Sequence, residues 1–68
     1  MTHFHEIKTL ALAQRDLKEK MTELTNALAD GGAKDYAAYQ RMCGEIRGLT
    51  LAYNNLIDLV RHLEQDDE

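Results

Sequence analysis

The sequence predicts an all-α fold: two long helices that fold back on each other as an antiparallel, coiled-coil-like hairpin. Three observations predict it. Two stretches of nearly thirty residues each carry apolar side chains at alternating steps of three and four. Proline is absent from the whole chain. The only adjacent glycines, Gly31 and Gly32, fall between the two stretches.

The first helix is expected over residues 3–29. Its seam is Ile7, Leu10, Gln14, Leu17, Met21, Leu24 and Leu28, a heptad series with leucine at d in Leu10, Leu17 and Leu24. His3 extends the d positions by one turn, and Gln14 is the one polar residue inside the seam.

A turn is expected over residues 30–35. Glycine adopts the left-handed conformation that ends a helix with little steric cost. Asp35 then suits the N-cap of the next helix, because its carboxylate can accept a bond from an orphan amide of the first turn. A connection of about six residues joins antiparallel neighbours.

The second helix is expected over residues 36–64, followed by an acidic tail at 65–68. Its seam is Tyr39, Met42, Ile46, Leu49, Tyr53, Leu56, Val60 and Leu63. Both helices are then about 40 Å long at 1.5 Å per residue. The second helix carries more apolar surface than one partner covers. Tyr36, Cys43, Thr50 and Ile57 form a stripe at e, and Ala38, Ala52 and Leu59 stand at g. A two-stranded coil hides a narrow a/d stripe, and a bundle needs a wider one. The hairpin is therefore expected to be completed by oligomerisation or by docking on a larger assembly.

Length and charge narrow the function classes. A chain of 68 residues is a single domain, and it buries only about 60% of the surface its unfolded form exposes. One cysteine gives no internal disulfide, and the absence of paired Cys–His clusters argues against structural zinc. A hydrophobic fraction of 44% is too high for a disordered chain. The formal charge is −4, with no basic run, so no direct nucleic-acid contact is expected. The acidity gathers in Glu64, Asp66, Asp67 and Glu68, at the end of the chain. No apolar stretch approaches the ~20 residues of a membrane span, and no signal peptide is expected.

No catalytic site is expected. His3, His5 and His62, with Glu64 and Asp66, meet at the open end of a hairpin, but their spacing matches no closed metal site. Cys43 lacks a base at helical spacing, its neighbours being Tyr39, Gln40, Ile46 and Arg47. Asp16–Lys20, Arg41–Glu45 and Asp58–His62 read as ordinary surface pairs. No cofactor, metal or enzymatic activity follows.

The features left over point to protein contact. Gly44 and Gly48 lie inside the second helix, four residues apart and off the seam. Each costs about 1 kcal/mol relative to alanine in a helix interior. With Leu51 they form a smooth strip where another backbone can come close. The expected interface residues are Gly44, Gly48 and Leu51 on this strip, with Tyr36, Ile57 and Leu59 from the uncovered e and g stripes.

The run Ala33-Lys34-Asp35-Tyr36-x-x-Tyr39, then Met42-Cys43-Gly44-x-Ile46-x-Gly48-Leu49, then Ala52, Leu56-Ile57-x-Leu59 and the acidic tail, resembles small proteins of tailed bacteriophages. These are short, uncharacterised reading frames near head and portal genes. The resemblance covers about residues 33–68 and brings no catalytic residues. It implies a viral protein, in the virion or the host cytoplasm, and its partners as itself, a phage structural protein, or both. The function expected is that of a non-enzymatic structural protein, a small accessory component of the particle at the head or head–tail region. The alternative is a small phage-encoded binder that inhibits or redirects a host protein.

Overall fold

The computed structural model describes residues 3–66. Two helices make up the chain, α1 at Phe4–Ala29 and α2 at Tyr36–Asp66. They pack along their length as a hairpin with extents of 50 × 14 × 12 Å. The two heptad seams lie between them.

The turn is held by backbone chemistry. Gly31 has φ +81°. Its amide donates to the Leu28 carbonyl at 3.1 Å, and the Gly32 amide donates to the Ala27 carbonyl at 2.7 Å. These two nested bonds are a Schellman motif, which satisfies carbonyls the helix end would orphan. The two glycines are needed for different reasons. Gly31 occupies a left-handed conformation that a side chain disfavours. A Cβ on Gly32 would stand 2.7 Å from the Ala27 carbonyl oxygen, a backbone atom. Across the turn, Asp35 caps α2, its Oδ1 accepting from the Ala38 amide at 2.8 Å.

Burial along the seams is partial. Ile7, Leu10, Leu17, Met21, Leu24 and Leu28 of α1 are all half-buried, and so are Met42, Ile46, Leu49, Leu56, Val60 and Leu63 of α2. Among the described residues only Ala38 is buried, at 6% exposure. Each half-buried seam residue is covered over most of its side chain, so it contributes the larger part, though not all, of the ~1.5–3 kcal/mol that full burial brings. The accessible surface is 5230 Å², whereas a compact monomer of this mass exposes about 4,400 Å².

Three details differ from the sequence reading. Tyr39, placed in the seam by its spacing, is 46% exposed, and Ala38 faces inward in its place. Beside the turn the packing covers the small side chain and leaves the bulky one in solvent. The second helix continues through Gln65 to Asp66, because no glycine or proline stops it; Asp67 and Glu68 of the expected acidic tail lie outside the described residues. The surface pairs also differ. Arg15 pairs with Glu19 at 3.8 Å and with Asp16 at 3.7 Å, and Asp58 takes Arg61 at 3.6 Å. These pairs are well exposed and add little to stability.

Candidate functional site

The six residues expected at an interface fall on three faces of α2. Gly44, Gly48 and Leu51 lie on the outward face, away from α1. Both glycines are exposed, and a Cβ on either would meet nothing within 4 Å. Nothing inside this chain requires glycine at these positions. Leu51 stands beside them at 61% exposure, so the strip is a smooth surface with one large apolar side chain at its edge.

Tyr36 and Ile57 belong to the e flank. Tyr36 is 74% exposed, whereas Ile57 is half-buried along with Cys43 and Thr50 of the same stripe. The hairpin thus covers part of the stripe and leaves its turn end open. The polar groups of this flank are engaged within the helix. The Thr50 hydroxyl donates to the Ile46 carbonyl at 2.8 Å, the pattern of a helical threonine bonding back one turn. The Gln40 amide donates to the Tyr36 hydroxyl at 2.6 Å.

Leu59 lies on the opposite g flank and is half exposed. That flank is grooved and charged. A shallow groove of about 540 Å³ runs there between the helices, lined by Lys20, Glu23, Leu24, Glu45, Gly48 and Leu49. Gly48 therefore borders both the outward strip and this groove. A second groove near the open end is lined by His5, Glu6, Thr9, Leu10 and Leu63.

The sequence reading missed an aromatic patch at the turn end. Tyr36 and Tyr39 stack with ring centroids 6.3 Å apart and planes 23° apart. Their i,i+3 spacing is the signal that could have found it, since such residues share a helix face. Phe4, at the open end of α1, and Leu12, further along that helix, are exposed apolar side chains away from this patch.

The chemistry at Cys43 is quiet. It is a half-buried free thiol. Tyr39 hydrogen-bonds it, and that bond, with the repulsion between their charged forms, pushes the phenol above its ordinary value. Among the described residues no three His, Cys, Asp or Glu side chains gather as a metal site. Among them, too, no helix is long and apolar enough to cross a membrane.

No protein-family model matches the chain, and neither a curated protein nor a solved structure is similar to it. The fold and its surface geometry are therefore what a functional reading rests on.

Proposed function

We propose that this chain is a non-enzymatic structural protein: a helical hairpin that works by being docked into a larger protein assembly. One observation carries the reading. Among the described residues, nothing larger than alanine is buried. A chain that fully buries none of its large seam side chains has the surface of a component rather than that of a finished domain. The motif resemblance read in residues 33–68 directs the proposal to a bacteriophage particle, with the hairpin as an accessory piece at the head or head–tail region.

The strip of Gly44, Gly48 and Leu51 is the surface that meets the particle. Its glycines cost helix stability and serve no contact inside the chain, and they leave room for a backbone to approach. The test is mass spectrometry of purified particles, with wild type and with Gly48→Leu. The expected result is a fixed copy number for wild type and its loss for the variant, while circular dichroism shows the variant still helical. Absence from particles, with recovery on a host protein instead, would replace this reading with that of a host-directed binder. A Gly48→Leu chain incorporated as well as wild type would make the strip an ordinary solvent face.

A further inference from the structure

We propose that the e flank is covered by a second copy of this chain, laid antiparallel to the first, so that two hairpins close a four-helix bundle with their turns at opposite ends. The inference rests on the reading of the hairpin as an assembly component, and it names a partner for a face distinct from the glycine strip.

Three observations select the occupant and its direction. The first is area. The chain exposes 5230 Å², about 800 Å² more than a compact monomer of its mass. A standard protein interface removes about 800 Å² from each partner. One further copy on one face is therefore enough.

The second is the chemistry of the two flanks. Lys20 and Glu45 line the same groove, which puts the g positions of both helices on one side and the e positions on the other. The g side is charged and grooved. On the e side, α2 presents Tyr36, Cys43, Thr50 and Ile57 without a charge, and Glu64 only at the last e position, by the open end. Coiled coils ordinarily place charged residues at e. The Thr50 hydroxyl is already bonded to the Ile46 carbonyl, so packing over it strands no donor. A two-fold interface sets one patch against itself, and an uncharged patch does so without like-charge repulsion. Besides Glu64, the charge at e on this flank is Lys18 of α1. It is exposed, and its long stem lets the ammonium reach the rim.

The third is the charge along the long axis. Four of the twelve acidic residues are Glu64, Asp66, Asp67 and Glu68, which leaves eight to balance the eight basic residues. The body is neutral, and the whole −4 sits at the C-terminal end. Two copies laid parallel would bring both acidic ends together. Laid antiparallel, the C-terminal ends of the two α2 helices are separated by about the 50 Å length of the hairpin, several times the screening length of ~8 Å at physiological salt.

The test uses the full chain. Sedimentation of the wild type gives the mass of the species, expected at twice the 7.8 kDa of one copy. A nitroxide at position 34, introduced by Lys34→Cys in a Cys43→Ala background, marks the turn. Pulsed electron resonance on this dimer is expected to give a distance of about 45–50 Å, the length of α2. A distance within about 20 Å, as for neighbouring helix axes plus label arms, would show parallel hairpins and overturn the proposal. Thr50→Lys, on the e flank, is expected to raise the dissociation constant at least about tenfold, since it buries a charge. Glu45→Lys, on the g flank, is expected to leave it unchanged. The reverse pattern would move the interface to the other flank. A monomer at every concentration would also overturn the proposal, whereas the particle assay above would still decide the assembly reading independently. If the labelled chain lost its helicity, the wild-type mass and the Glu45→Lys comparison would remain decisive.

Discussion

The turn and the middle of α2 each contain two glycines, and the two pairs answer to different parts of physics. Gly31 and Gly32 are required by the chain itself. One has positive φ, and the other lies against the Ala27 carbonyl with no room for a Cβ. Gly44 and Gly48 stand in open helix, where a side chain would meet nothing. The first pair is accounted for by folding. The second weakens the helix with no return inside the molecule, and the proposed function places its use outside the chain. The contrast extends to burial. The turn end holds Ala38, the one buried side chain among the described residues, and is closed by paired caps, whereas the rest of the seam keeps some exposure.

The comparison is broken most directly at the turn. Gly31→Val forces a branched side chain into the left-handed region, and Gly32→Ala presses a Cβ on backbone. Each is expected to lower stability by about 2–3 kcal/mol, through strain and loss of one nested hydrogen bond. Urea unfolding at fixed protein concentration measures it, and a loss under about 0.5 kcal/mol would mean that the turn relaxes freely. Asp35→Ala removes the cap on the Ala38 amide and is expected to cost about 1 kcal/mol in the same titration.

Substitution in the second pair should act in the opposite direction. Gly44→Ala and Gly48→Ala are each expected to stabilise the protein by up to about 1 kcal/mol, because helix propensity improves and nothing is displaced. A loss of stability would show that the strip packs against something already present in solution. The smallest effect sharpens the turn end alone. Tyr39 has its pKa raised by the bond to Cys43. A raised value favours the neutral phenol in the folded state, so this contribution is fully present below pH ~10 and fades as the pH rises through the folded-state value. A urea midpoint that falls in strongly alkaline solution for wild type, and falls less for Tyr39→Phe, is the expected outcome.

Much of this contrast was legible in the residues. The helix class, the turn at residues 30–35 and the Asp35 cap rest on local signals, namely period, paired glycines and a short carboxylate, and each acts within a few residues of itself. The inward choice of Ala38 over Tyr39 was not legible. Both fit the period within one position, and the decision comes from how the two helices are rotated against each other, which neither carries alone. The end of α2 was misjudged because charge suggested a tail, while the backbone needs a breaker to stop and finds none before Asp66. For the interface, the heptad positions separated Gly44, Gly48 and Leu51 from Tyr36, Ile57 and Leu59. It did not reveal that the e stripe is half covered by the hairpin, nor that the g side is the grooved and charged one. Those follow from packing, which depends on the relative rotation of two helices and leaves no mark in either one alone.

The central claim is that one hairpin does not finish its own core. Thermal unfolding of the wild-type chain, followed by circular dichroism over roughly 1–100 μM protein, tests it most directly, because association with a second copy makes the folded state depend on concentration. The account predicts a Tm that climbs by several degrees across that range, with the heavier species seen by sedimentation at the upper end. A sharp, cooperative transition at the same Tm throughout, from a chain that sediments at 7.8 kDa, would contradict it.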